Sequence, residues 1–267
     1  MTRLVVKIGG ALLEGNIPEI VGDLKGIQSR FEVVIVHGGG NRVSRVARKL
    51  GKEPRFVVSV SGIRSRYTDR ETAHIFEMVM AGSVNKEIVR ACQMESVRAV
   101  GLSGSDGWTM RARRKGTIKI LERGKKMMLK GDYTGKIVNV NPELIELLLQ
   151  GGYVPVLAPI AMGYEYESLN VDGDRAAAYI AGAVKAEALL LLTDVTGVLF
   201  KGKLIERLRG EEIQKMAELV GHGMKRKILA SLEALEMGVE RVVIASGLVD
   251  RPISSALSLK GCTVLEM

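Results

Sequence analysis

The residues best suited to chemistry stand where β-branched runs give way to glycine. Lys7 lies near the end of the stretch Leu4–Ile8 (LVVKI), two residues ahead of Gly9 in Gly9-Gly10. There a lysine can place a point charge on phosphoryl oxygens while glycine N–H groups bind the same anion. A second junction of this kind is Val33–Asn41, VVIVHGGGN, which continues into a helical pattern at Val43, Val46, Ala47 and Leu50. Unpaired backbone N–H groups and the positive end of a helix dipole suit it to an anion. Either junction alone reads equally well as a plain βα turn; two together, with a lysine beside one, favour anion binding. No GxxxxGK[ST] run occurs, and GLSGSDG at 101–107 lacks the GxGxxG spacing, which argues against a P-loop and a dinucleotide fold.

Other chemistry is thinly represented. His37, His74 and His222 have no metal-ligand spacing, and His37 at a strand end reads as structural. Cys92 and Cys262 make neither a disulfide framework nor a zinc site. The opening MTRLVVKIGGALLEG is interrupted by Lys7 and Glu14 and reads as a strand, not a signal peptide. No long uncharged apolar run suggests a membrane span, so a cytoplasmic protein with reduced thiols is expected. The net charge of +9 implies acidic partners. Aromatic residues at only 4%, with no recognition motif, argue against nucleic acid.

Positioning these residues requires strands alternating with helices, hence an α/β fold: a three-layer αβα sandwich around a mostly parallel sheet. Strands are expected at 4–8, 33–37, 97–102, 153–158, 188–193, 241–245 and 263–266. Helices are expected at 18–30, 42–50, 70–93, 142–150, 173–184, 210–220, 224–237 and 252–259. Asp69 is placed to cap the long third helix. Residues 55–67 look extended with a turn at Gly62, and 108–139 form a β-hairpin excursion. One domain spans 1–267, with a soft division near Asn170–Asp174 into lobes 1–172 and 173–267.

Five groups of residues resemble, in order and over essentially the whole chain, the amino acid kinase superfamily. They are Lys7-Ile8-Gly9-Gly10, His37-Gly38-Gly39-Gly40, Asn170-x-Asp-x-Asp174, Thr193-Asp194-Val195-Thr196-Gly197-Val198 and Gly223-Met224-x-x-Lys227. Within it the chain looks closest to N-acetylglutamate kinases, and among these to kinases of amino acids carried by LysW, a small acidic carrier protein. Arg66-Tyr67-Thr68-Asp69, Ala112–Lys115 and Lys130–Gly135 carry that narrower likeness.

The resemblance implies ATP-dependent phosphorylation of the side-chain carboxylate of LysW-bound α-aminoadipate, glutamate, or both. It further implies a homodimer, with the long helix as its face, and Mg²⁺ held on ATP by phosphate oxygens and water. Lys7 and Lys227 would stabilise the transferring phosphoryl group, with Asp174 holding both. Gly39 and Gly40 would take the acceptor carboxylate, Arg66 would clamp a substrate carboxylate, and Asn170 would donate near the substrate amide. Gly9, Gly10, Thr193, Asp194, Gly197, Gly223 and Met224 would bind ATP. Lys225, Asp172 and Arg64 remain alternatives to Lys227, Asp174 and Arg66. An already ionised carboxylate nucleophile needs no general base.

This chain departs from the N-acetylglutamate kinase pattern in two places. The stretch Gly62–Asp69 is two residues longer, and Asn41 stands where many relatives have proline, placed to cap the following helix. Nine basic residues fall between Arg111 and Lys130: Arg111, Arg113, Arg114, Lys115, Lys119, Arg123, Lys125, Lys126 and Lys130. Such a run is ordinarily a solvated face; under the resemblance, Arg113, Arg114 and Lys115 become a dock for the carrier. The competing functions are a free N-acetylglutamate kinase and, from another class, a non-catalytic ATP or amino-acid sensor.

Overall fold

The computed structural model describes residues 1–267 apart from Ser61, Ile63, Arg123 and Gly124, with Glu122 described in its backbone alone. The chain opens with β1 (Thr2–Ile8), a 3-10 turn (Gly10–Glu14), α1 (Ile17–Ile27), β2 (Phe31–His37) and α2 (Gly40–Lys49). The short pair β3 (Phe56–Ser59) and β4 (Arg64–Arg66) follows. α3 (Arg70–Glu77), a π-helical segment (Met78–Val84) and α4 (Asn85–Met94) then run on without a break. Next come β5 (Ala99–Ser103), the hairpin β6 (Met110–Glu122) and β7 (Lys125–Val140), α5 (Glu143–Gln150) and β8 (Val154–Ala158). The short strands β9 (Ile160–Met162) and β10 (Ser168–Asn170) lead to α6 (Gly173–Ala183) and β11 (Ala188–Thr193). The chain closes with β12 (Leu199–Phe200), β13 (Lys203–Leu204), β14 (Arg207–Arg209), α7 (Glu211–Leu219), α8 (His222–Glu236), β15 (Arg241–Ser246), α9 (Pro252–Leu257) and β16 (Thr263–Glu266).

The expected three-layer fold is the fold observed. An eight-stranded sheet runs β14-β16-β15-β11-β1-β2-β8-β5, parallel throughout except for β15 against β16. Strands from both sides of residues 170–174 share it, so the sheet is continuous across that point. Alternation along each strand feeds two separate cores. Leu4, Val6, Ile8, Leu190 and Leu192 face α1, α2, the long helix and α9, whereas Val5, Leu189 and Leu191 face α5, α6, α7 and α8. Lys7 shares the parity of Val5, which directs it to the α6–α8 layer. The second sheet, β4-β3-β6-β7-β10-β9, carries the hairpin.

Some expectations are corrected. Asn41 does not cap α2: the helix starts at Gly40, Gly39 holds the cap position at φ +146°, and no side chain caps it. Asn41 is already within the first turn. Asp69 does cap α3, accepting from the Thr72 N–H at 2.8 Å. The long helix is continuous but contains a π-helical segment, which a 3.6-residue period cannot reveal. Strands β9, β10 and β12–β14 were not foreseen, because two or three residues carry no period. Among the described residues, no helix is long and apolar enough to cross a membrane.

Candidate active site

The site forms at the carboxyl ends of β1, β2 and β11, where open α/β sheets bind ligands. The two glycine junctions lie backbone against backbone. The Gly38 N–H donates to the Ile8 carbonyl at 2.8 Å, and a Cβ on Gly38 would stand 2.8 Å from the Gly10 nitrogen. A Cβ on Gly10 would come within 3.0 Å of the Gly39 nitrogen. Gly9 behaves differently: its N–H is bonded to the Leu192 carbonyl at 2.9 Å, so it packs β1 against β11 and has no donor left for an anion. The donors suited to a ligand are therefore those of Gly10, Gly39 and Gly40. Gly38→Ala should force the two junctions apart, costing about 1–3 kcal/mol of stability together with most of the activity, measurable by thermal unfolding and a turnover assay.

The α6 cap brings Asp174 beside these loops. Asp172 is the N-cap, accepting from the N–H groups of Asp174 and Arg175 at 3.0 Å each. Asp174 is thereby turned inward, pairing with Lys7 at 2.7 Å and with Lys227 of α8 at 3.0 Å. All three side chains are nearly buried, with 7%, 10% and 15% of their surfaces exposed for Lys7, Asp174 and Lys227. Burial alone would raise the Asp174 carboxyl, but Lys7 and then Lys227 outweigh it and hold the group well below the ordinary carboxylate range. Burial, then the charge of Lys7, lowers the Lys227 ammonium despite its pairing with Asp174. Two cations held by one buried acid leave a net positive charge suited to an anionic group, in a setting that magnifies it.

The geometry separates the competing residues. Asp172 is occupied with capping and with Arg226 at 3.4 Å. Lys225 turns away to Glu218 at 2.9 Å. Arg66 is buried, and its Nη2 donates to the Gly40 carbonyl at 2.8 Å and to the Ser44 hydroxyl at 2.7 Å. Its Nη1 is buried and, among the described residues, has no hydrogen-bond partner. Arg64 is exposed and stacks on Phe56, 4.7 Å from the ring centre. Of the two, Arg66 alone is fixed against the glycine loop.

Asn170 donates from Nδ2 to the Thr68 hydroxyl at 3.0 Å. Thr193 is buried at the end of β11, with its hydroxyl 3.0 Å from the carboxylate of the exposed Asp194. Gly197 is a packing position, since an added Cβ would meet the Thr263 hydroxyl at 2.5 Å. Gly223 is exposed in the first turn of α8, and Met224 is half-buried beside it.

The hairpin separates the three residues expected to dock the carrier. Arg114 lies over Tyr133, 3.5 Å from the ring centre, and donates to the Asp132 carbonyl at 3.0 Å. Arg113 and Lys115 are exposed, and Lys136, directly opposite Arg113, is exposed too. Arg123 lies outside the described residues.

Sequence reasoning missed three contributors. Buried Asp132 accepts from the Thr68 N–H at 3.1 Å and from the Thr134 hydroxyl, tying the hairpin to the segment after Arg66. Ser44 seats Arg66. Asn85 lies behind the glycine loop; a polar residue inside an otherwise apolar helical stripe was its only signal.

The chain belongs to the amino acid kinase family, whose model matches residues 2–246. Over nearly its whole length it is similar to particular members. It is 51% identical, over 98% of both chains, to a putative LysW-aminoadipate/LysW-glutamate kinase of Cenarchaeum symbiosum. It is 41% identical to the LysW-aminoadipate/LysW-glutamate kinase of Saccharolobus islandicus, covering 98% of this chain and 99% of that one. Among solved structures, N-acetylglutamate synthase from Neisseria gonorrhoeae, complexed with coenzyme A and N-acetyl-glutamate, superposes with a TM-score of 0.82 at 28% identity. That match takes in 100% of this chain but spans only 59% of the synthase.

Proposed function

We propose that this enzyme transfers the γ-phosphoryl group of ATP to the side-chain carboxylate of LysW-bound α-aminoadipate, LysW-bound glutamate, or both, forming an acyl phosphate. The observation that carries the chemistry is Asp174 gripping Lys7 and Lys227 beside two facing glycine loops. Bringing an acceptor carboxylate to a phosphoryl group joins two anions, so catalysis is positioning and charge neutralisation. Lys7 and Lys227 supply the charge, and Gly10, Gly39 and Gly40 the N–H donors. Arg66 orients a substrate carboxylate through its unpartnered Nη1. Residues 173–267 hold the nucleotide through Thr193, Asp194, Gly223 and Met224, and residues 1–172 the substrate. Full-length similarity to kinases named for these two carrier-linked substrates supports the choice of acceptor and a place in lysine, and also arginine, biosynthesis.

Among the described residues no group of three His, Cys, Asp or Glu side chains is placed to hold a metal. Asp174 is committed to two lysines. Mg²⁺ is assigned to the phosphate oxygens of ATP and to water. A cytoplasmic homodimer is part of the same reading. Leu50 and Met78, 57% and 56% exposed, flank a groove on the long helix that suits its apolar face.

The carrier dock is reassigned to the outer face of the hairpin. Among the described residues Arg113, Lys115 and Lys136 have no carboxylate partner, and Arg113 directly faces Lys136. Like charges placed opposite one another destabilise a hairpin, which an acidic partner would relieve. The test is an acyl-phosphate assay comparing LysW-aminoadipate, LysW-glutamate, N-acetylglutamate and free aminoadipate. Carrier-linked substrates should be preferred. Arg113→Ser combined with Lys136→Ser should raise KM for these alone and flatten its salt dependence. Equal turnover of free N-acetylglutamate would refute the carrier reading.

A further inference from the structure

Behind the glycine loop lies a buried polar pair that the ion-paired triad does not use. His37 ends β2, fully buried, with Nδ1 2.9 Å from the Gly38 carbonyl oxygen and Nε2 3.3 Å from Nδ2 of Asn85. Asn85 is fully buried as well. Its Nδ2 donates to the carbonyls of Val156 at 2.8 Å and Leu102 at 3.3 Å, and its Oδ1 accepts from Lys86 at 3.3 Å. Carbonyl oxygens on one side and an ammonium on the other fix which way the amide points, so a nitrogen faces the imidazole. An N–H on Nε2 would point at this donor, so Nε2 is left unprotonated and shares with the Leu102 carbonyl the one amide hydrogen not taken by Val156; the ring proton sits on Nδ1 and donates to the Gly38 oxygen. Burial, reinforced by the charge of Lys7, pushes the imidazole down to about 4 and keeps it neutral.

This donation bears on the loop's direction. A trans peptide is planar, so the Gly38 carbonyl and the Gly39 N–H point in opposite directions from one plane. Holding the carbonyl against the buried ring turns the Gly39 N–H away from it, and the Gly39 nitrogen lies on the Gly10 side. With glycine on both sides this peptide is free to flip, and a flip would show a carbonyl oxygen to the incoming anion. The π-helical segment completes the support. It ends immediately before Asn85, and the position of a Cβ on Gly39 lies 2.9 Å from the Met80 sulfur and 3.4 Å from Val84. Such segments often occur at functional sites.

We propose that His37, its tautomer selected by Asn85, is a positioning residue that locks the Gly38–Gly39 peptide with the Gly39 N–H facing the acceptor site. The rate effect rests on the phosphoryl-transfer reading; the lock itself does not. With only three histidines in the chain, NMR of the ¹⁵N-histidine-labelled protein resolves each ring. His37 should be neutral with its proton on Nδ1 and should not titrate between about pH 5 and 8. Asn85→Ala should release the tautomer preference. In turnover, His37→Phe should lower kcat by about tenfold to a hundredfold, with the KM for ATP nearly unchanged. His37→Asn, whose side-chain amide can reach the same carbonyl, should recover most of that loss. A proton on Nε2 in the unmodified protein, or equal losses in the two His37 variants, would overturn the proposal. Failure of the unmodified enzyme to phosphorylate any tested carboxylate would instead overturn the functional reading, and the NMR result would still decide the lock.

Discussion

Lys7→Met should leave a folded protein whose kcat for acyl-phosphate formation has dropped by about 10²–10³-fold, with a much smaller change in the KM for ATP. Asp174 retains Lys227 in that variant, so no buried carboxylate is left unpaired and thermal unfolding should move little. The missing group is a charge that acts most strongly when negative charge on the transferring oxygens is greatest, so the loss belongs in kcat. Lys225→Met supplies the contrast. Its amine pairs with Glu218, outside the triad, and turnover should stay within about twofold, as is usual for a peripheral ion pair. Full activity in Lys7→Met enzyme would refute the assigned role.

Asp174→Asn should damage both stability and turnover. Removing one partner from a buried ionic cluster costs about 3–5 kcal/mol, here because Lys7 and Lys227 would face each other without a counter-ion. Turnover should fall at least as far as in Lys7→Met, since neither ammonium is then held in place. The pH dependence follows from linkage. The native Asp174 carboxyl is depressed, so its ionised form adds stability at neutral pH. That stability is lost as pH falls below the ordinary carboxylate value of about 4 toward the lower native value. Unmodified protein should therefore show an acid-side fall in Tm that is shallower in Asp174→Asn. Lys227 supplies an opposite signature. Its native ammonium is already lowered by burial and by Lys7, and loss of Asp174 lowers it further. Tm of the variant should then climb as pH rises toward about 10. Parallel Tm profiles for the two proteins would refute the coupling.

Much of the fold could be read in the residues themselves. A β-branched run such as Val33–Val36 and a short, fully apolar one such as Ala188–Leu192 favour buried strands, and Gly9-Gly10 and Gly38–Gly40 mark the strand-to-helix junctions where N–H groups gather. Asp69 could be read as a cap because capping needs only a side chain and an N–H three residues on. These are local preferences, decided within a few residues of chain. Even so, local reading failed where neighbours matter: Asn41 has the chemistry of a cap, yet α2 starts two residues earlier, with Gly39 in the cap position packed on Met80 and Val84.

What the sequence determined by itself is thus the order of layers and the presence of two anion-suited loops beside a lysine. Only the tertiary structure decided which charges meet. Lys7 aligns with Leu191 across β1 and β11 and faces α6 because of its parity in the strand. Asp172, by capping α6, leaves Asp174 to face inward, and the packing of α8 on α6 delivers Lys227, not Lys225, to it. The same holds for Arg66 over Arg64, for Arg114 drawn onto Tyr133, and for Asn85 behind His37. Each is a contact between residues distant in the chain, set by register, helix packing and hydrogen-bond satisfaction in the assembled core. Those conditions exist only once the layers have closed, so no local pattern of residues encodes them.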